Sequence, residues 1–383
     1  MSGHRSTAWP LSGVAAALVV YATLHPLTGW HWPDSQVFSW VLPKLPREIP
    51  SDMVGNLLGY MPMGLVLCVA WLRSGWRPAR AALLTLLLCS AMSYTLELVQ
   101  FTVPGRVPSI TDWLLNTLGA AWGALAAVTL DALGLIAVWS RWRERWFIPQ
   151  AGFGLALLCM WPLGLLFPPP FPLGEGQILP HLRVALVMLL RDTPWQQWVL
   201  PHDPLALWTT GIPLEAGTWE AQLREGAIVC LGLLAPMTVA CAFARPRTLR
   251  LLLLAGAVLV AVATTTLSTA MNFGPEHALT WMSVPTLMGL LTGSLAGALL
   301  LHRSRRACAV LGLCVLLGLV VLIHQVPPDP YYAQTLASWE NGRFIRFHGL
   351  ARWFGVLWPY VTLGWLIARI LGRDVFSSEQ AKA

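Results

Sequence analysis

Charge is what this sequence most conspicuously lacks. Only 11% of its 383 residues are Asp, Glu, Lys or Arg, while 56% are hydrophobic. A soluble globular domain carries about 25% charged residues, and one this poor in charge would expose large apolar patches. Lipid is therefore the expected solvent. Long polar stretches are also scarce, so no soluble domain of normal size fits into the chain. The seven cysteines, Cys68, Cys89, Cys159, Cys230, Cys241, Cys308 and Cys314, lie within or beside apolar runs. They show no CxxC pair and no Cys/His ligand spacing. They read as small buried hydrophobes, with neither disulfide nor metal expected. A Gly-rich phosphate loop, an HExxH motif and a GxSxG nucleophile elbow are missing too, and no cofactor is implied. The net charge of +7 does not point to nucleic acid, because the arginines fall in short clusters between apolar runs, where they carry topology.

What the sequence has in abundance is apolar length. A membrane-spanning helix needs about 20 apolar residues. Runs of that kind begin near residues 9, 52, 81, 112, 148, 225, 250, 281, 307 and 350. The expected fold is all-α, a polytopic transmembrane helix bundle of about ten spans. No small-x-small cleavage site follows the first run, so a retained first helix is expected rather than a cleaved leader. The basic clusters lie at Arg5, then Arg73, Arg77 and Arg80, then Arg141, Arg143 and Arg145. They continue at Arg245, Arg247 and Arg250, at Arg303, Arg305 and Arg306, and at Arg369, Arg373 and Lys382. These fall in alternate loops, which the positive-inside rule assigns to the cytoplasm, with both termini on that side. The longer outward loops run from about Trp30 to Ser51, Pro168 to Glu220 and Pro327 to Gly349. Within the second, HLRVALVMLLR (His181 to Arg191) is too short to span and is expected to lie along the membrane or re-enter it. The 21 tryptophans, many at the ends of spans, suit an interfacial aromatic belt. A seam at Arg141 to Trp146 divides the chain into a four-helix membrane domain over 1–146 and a six-helix domain over 147–383.

Two stretches of the first block match each other: SDMVGNLLG (Ser51 to Gly59) and TDWLLNTLG (Thr111 to Gly119). Both open a span running from outside to inside. Ser51 and Thr111 suit N-caps, and an Asp just after the cap favours the positive helix end. Asp52 with Asn56, and Asp112 with Asn116, are four apart and share a helix face. Helix capping is one reading of the serine, threonine and aspartates, and a place in a polar site is the other. The two asparagines sit about one turn inside the membrane, where an unpaired amide is costly, and either bond to neighbouring helices or line a polar pocket. The third helix adds Glu97 and Gln100 near its outer end, and the loop TVPGRVPSI adds Arg106 and Ser109. Three carboxylates, Asp52, Glu97 and Asp112, thus face one arginine at one depth. In low dielectric such a group must protonate, recruit a cation or pair with a ligand. The structural alternative is a closed salt-bridge network clamping three helices.

The pattern D-x-x-x-N-x-x-G-[YF]-x-P-x-G, at Asp52, Asn56, Gly59, Tyr60, Pro62 and Gly64, is followed by E-x-x-Q at Glu97 and Gln100. Arg106 comes next, and then [ST]-x-x-D-x-x-x-N-x-x-G at Ser109, Asp112, Asn116 and Gly119. In this order and spacing the chain resembles the VanZ-like integral membrane proteins over about residues 10 to 140, with a C-terminal multi-helix extension. The resemblance implies a place in the bacterial cell envelope, in the inner membrane, and a link to glycopeptide antibiotic resistance. It implies no settled biochemical activity.

In the second block, Gly289, Gly293 and Gly297 form a small-residue face that suits close helix packing. Arg343 and Arg346, within SWENGRFIRFHG, could grip a phosphate or carboxylate, or serve as an interfacial anchor. His277 beside Glu276 reads as a solvated loop. The leading expectation is a non-enzymatic envelope protein with an outward-facing polar pocket formed by Asp52, Asn56, Glu97, Gln100, Arg106, Ser109, Asp112 and Asn116. Its expected partners are membrane lipids and a lipid-linked envelope precursor or amphiphilic (glycopeptide) antibiotic. An outer-leaflet enzyme acting on a polyprenyl-phosphate-linked substrate, with the acids as catalysts or Mg²⁺ or Ca²⁺ ligands, is the runner-up. A lipid transporter or scramblase, hinted at by the parallel repeat, is the third reading.

Overall fold

The computed structural model describes residues 8–25, 29–32, 38–44, 50–149, 151–167, 169–191, 193–195, 218–245, 247–325 and 345–371, with backbone alone at 50–52, 184 and 345–350. Among these residues there is no β-strand beyond one isolated bridge between Phe147 and Ala244. The chain divides into two compact units, Met1–Arg145 and Trp146–Ala383.

The first unit contains α1 (Ala8–Leu24), α2 (Pro50–Arg73), α3 (Pro78–Gln100) and α4 (Ile110–Ala132), and ends in α5 (Leu135–Trp146) at the seam. The second contains α6 (Gly152–Leu165), α7 (Leu179–Leu190), α8 (Trp219–Phe243), α9 (Arg247–Phe273), α10 (Val284–Leu299), α11 (Arg305–His324) and α12 (Ile345–Leu371). Among the described residues, eight helices are long and apolar enough to cross a membrane: α2, α3, α4 and α8 through α12. The protein is a helical membrane protein, and the expected count of about ten spans is not confirmed among the described residues. The runs near residues 9 and 148 form helices of only 17 and 14 residues.

In the first unit α2 and α4 run parallel and touch backbone to backbone. A Cβ on Gly64 would press on the Ala120 backbone, one on Gly119 on the Leu57 carbonyl, and one on Gly123 on the Met61 carbonyl and the Leu65 amide. Only small residues allow this approach. Gly55 and Gly59, which have the same four-residue spacing, face open space instead. Gly64, one turn further along α2, makes the contact. The start of α1 meets the end of α2, where Trp9 Nε1 donates to Ser74 Oγ at 3.1 Å and its ring stacks edge-on against Trp71 with centroids 4.8 Å apart. α3 returns antiparallel and buries a continuous stripe, Ala81, Thr85, Cys89, Ser93, Leu96, Glu97 and Gln100.

The second unit is organised around α8. Its apolar window is 78% buried, against 22–33% for the other spans, so α8 is the core helix and the others face lipid on one side. The Gly289, Gly293 and Gly297 face of α10 packs on it against the Gly226 carbonyl and Val229, the Cys230 carbonyl, and Met237. The seven cysteines are free; Cys159 and Cys314 are exposed, Cys230 is half-buried and the other four are buried. Arg250, expected as a cytoplasmic loop charge, is instead buried. It donates to the carbonyls of Ala244 at 3.3 Å, Leu300 at 3.3 Å, Leu301 at 3.4 Å and Arg303 at 2.6 Å. Those carbonyls lie at the end of a helix and of a 3₁₀ turn, where backbone oxygens have acceptor capacity to spare. The segment expected to begin an outward loop near Pro168 also differs, because residues 173–176 are buried.

Candidate functional site

The end of the first unit where α1 stops, α3 stops and α4 begins collects the polar side chains. α4 starts at Ile110, with Ser109 as its N-cap: Ser109 Oγ accepts from the Thr111 N–H at 3.1 Å. Thr111, expected as the cap, is therefore already helical, since Ser109 has the extended backbone that a cap requires. α2 likewise begins at Pro50, so Ser51 lies inside the helix. The side chain of Asp52 lies outside the described residues.

Glu97 is the pivot. It is 2% exposed, and its Oε2 accepts the backbone N–H of Ser109 at 3.0 Å. Asp112 and Arg106 are both within electrostatic reach of it. Ser109 N is the cap's own amide, the donor that the side chain three residues into a helix takes in a capping box. Here an acid from the preceding helix takes it. The carboxylate thus sits at the positive end of the α4 dipole.

Arg106, expected to contact a ligand, directs its guanidinium at the end of α1. Nε and Nη2 donate to the His25 carbonyl at 3.1 and 2.7 Å, and Nη2 to the Ala22 carbonyl at 3.3 Å. Gln100 Nε2 joins them, donating to the Thr23 carbonyl at 3.3 Å. Two predicted site residues therefore cap the carbonyl end of α1.

One turn deeper, Asn116 is buried and its Nδ2 donates to Ser93 Oγ at 3.0 Å, while its Oδ1 has no partner. Exchanging the amide N and O leaves the same count: one end bonded, one orphaned. The Tyr60 hydroxyl of α2 is buried beside Ser93 without a hydrogen bond of full geometry, and Cys89 and Glu97 lie within electrostatic reach of it. Asn56 is half-buried. Because Leu57 of α2 lies level with Gly119 of α4, Asn56 comes within a turn of Asn116 in depth. Asp112 is half-buried. Ser90 completes the layer: Trp113 Nε1 donates to its carbonyl and hydroxyl oxygens at 3.1 Å, and Thr117 Oγ1 to its Oγ at 3.1 Å.

Sequence reasoning missed Ser90, Ser93 and the depth of Tyr60. The signal was present, since Ser90, Ser93, Glu97 and Gln100 are spaced three, four and three apart on one face of α3. The loop 38–44 folds over this end. Ile110 N donates to the Pro43 carbonyl at 3.0 Å, Tyr94 Oη donates to the Trp40 carbonyl, and Phe38 stacks on Phe101. Trp32 and Trp40 remain exposed, at 92% and 70%, which suits an interfacial rim.

Of the eight expected pocket residues, Glu97, Gln100, Arg106, Ser109, Asp112 and Asn116 gather at this end. Among the described residues no three His, Cys, Asp or Glu side chains are placed to hold a metal ion. Arg343 lies outside the described residues, and Arg346 is described in backbone only, within α12. His277 and Glu276 are exposed in a 3₁₀ turn. A family profile described as VanZ/LLP1 matches residues 6–134, the segment that builds this site. No curated protein and no solved structure matches the chain.

Proposed function

We propose that the VanZ-like segment, residues 6–134, is a non-enzymatic binding unit of the bacterial cell envelope. It takes the polar headgroup of an amphiphile, a lipid-linked envelope precursor or an amphiphilic antibiotic such as a glycopeptide, into the cluster around Asn116. The observation that carries this reading is a pair of orphaned polar atoms, Asn116 Oδ1 and the Tyr60 hydroxyl, buried on adjacent helices around Ser93. A buried polar group without a partner costs about 1–3 kcal/mol. A ligand hydroxyl or amide that bonds both recovers it. In this reading the cluster end faces outward, the arginine clusters lie in the cytoplasm with both termini, and the membrane is the inner one. The exposed Trp32 and Trp40 would then sit at headgroup depth beside it.

The test compares lipids retained by the purified protein in native mass spectrometry with those retained by the double variant Asn116→Leu, Ser93→Ala. That variant removes both partners of one hydrogen bond, so its stability stays within about 1 kcal/mol of wild type. The wild type is expected to retain an envelope lipid that the variant loses. Equal lipid profiles for the two, together with unchanged glycopeptide sensitivity on deletion, would sink the proposal.

A further inference from the structure

The second unit contains a buried acid that no part of the first site uses. α6 ends at Leu165 after 14 residues, about 21 Å at 1.5 Å per residue, short of a hydrocarbon core of about 30 Å. The chain goes on through residues 169–178, PPFPLGEGQI, without regular structure. This run does not stay at the surface. The Leu173 backbone lies where a side chain on Gly232 would sit, midway along α8, and Leu173 is 1% exposed. The Glu175 carboxylate fills the space that a side chain on Gly164 would take, where α6 meets Gly355 of α12. The run is pinned from two sides: Tyr360 Oη donates to the Gly176 carbonyl at 2.8 Å, and Gln177 Nε2 to the Ile323 carbonyl at 3.4 Å. Leu173 and Gly176 hold positive φ angles of 60° and 105°, the second open mainly to glycine. Irregular backbone at membrane depth is tolerated only inside protein or beside a water-filled cavity. In transporters, unwound backbone at such depth is where coupling ions bind.

Glu175 is 4% exposed, and its Oε1 has no hydrogen-bond partner. The titratable or charged side chains on the surrounding elements include Tyr360 and Arg352 of α12, His324 of α11, His181 of α7, and Arg224 and Glu225 of α8. Burial disfavours its charged form. Arg352 acts on His181. An isolated carboxylate at such a place is strongly disfavoured, and the group neutralises by taking up a proton.

We infer that Glu175 is a proton-binding site, a carboxyl set into the irregular run between α6 and α7 of the second unit. It is neutral when enclosed as here and gives up its proton when the irregular run shifts and water reaches it. The O–H bond of the carboxyl breaks, the proton passes to water as hydronium, and the carboxylate remains. The inference stands apart from the reading of the first unit.

The test is covalent labelling of the full-length protein in lipid vesicles with dicyclohexylcarbodiimide, which attacks protonated carboxyls in apolar surroundings, read by peptide mass spectrometry. Glu175 is expected to label at neutral pH. The rate falls about tenfold per pH unit above the group's midpoint. Replacing potassium by sodium leaves the rate unchanged, and Glu175→Gln removes the label from that peptide alone. Three results would overturn the inference: no label on Glu175 at any pH, a rate that is flat from acid to alkaline, or suppression by sodium at constant pH. The last would make it a sodium site.

Discussion

The Ser109 N–H donates to Glu97 Oε2 at 3.0 Å, so the acid of one helix closes the N-terminus of the next. The first amides of an α-helix have no partner within it, and their end of the helix carries partial positive charge. A carboxylate from α3 answers both. The same side chain lies within reach of Asp112 and Arg106, so the tie between two helices and the charge of the candidate site are one feature.

Glu97→Gln keeps an acceptor for Ser109 and loses the charge. It is expected to lower stability by about 0.5–1.5 kcal/mol, and Glu97→Ala, which leaves the amide bare, by about 1–3 kcal/mol. Unfolding of the detergent-purified protein in graded denaturant measures both. Equal losses for the two variants would mean that the charge, not the acceptor, does the holding.

Arg106→Lys removes the planar fork that reaches the Ala22 and His25 carbonyls together. An ammonium cannot reproduce that geometry. The last turn of α1 should open more readily, with amide hydrogen exchange at Tyr21–His25 rising about tenfold, equivalent to about 1.4 kcal/mol. Unchanged exchange there would show that the cap contributes nothing.

Gly123→Ala forces a methyl group into the Met61 carbonyl and the Leu65 amide, and a backbone cannot rotate away. A loss of about 1–3 kcal/mol is expected. Gly59→Ala meets open space and is expected to be neutral or slightly stabilising, since alanine is the better helix former. The pair is a direct comparison by thermal unfolding; similar losses at both positions would contradict the α2–α4 contact.

His181, in the short α7, has its imidazole held below the ordinary value by burial first and by Arg352 second, with the Gln177 carbonyl working the other way. A group depressed in the folded state binds more protons when unfolded. Its stabilising contribution is therefore present above about pH 6.5 and is lost as pH falls through the lower folded value. His181→Phe, which keeps a ring against Trp353, should flatten the fall in thermal midpoint over that acid range. An identical slope for wild type and variant would exclude His181 as a contributor.

Much of the candidate site was legible before any coordinates. Glu97, Gln100, Asp112 and Asn116 recur at helical spacing close to span ends, and depth in a membrane follows from distance along the helix. The roles were less legible. Arg106 reads in sequence as a ligand contact set among carboxylates but donates to α1 carbonyls, a partner far away along the chain. Asn116 reads the same whether its amide is half satisfied or wholly satisfied.

The sequence alone determined that this is a helical membrane protein, that its first third carries a VanZ-like polar pattern, and where most of its spans begin. Those properties depend on the local density of apolar groups along the chain, which needs no knowledge of the neighbours. Only the tertiary structure decided that α8 forms the core, that Gly64 and not Gly59 meets α4, and that the chain after α6 turns inward and places Glu175 against Gly164 and Gly355. Each depends on which distant backbones approach closely enough to exclude a side chain, and that is a matter of packing between helices.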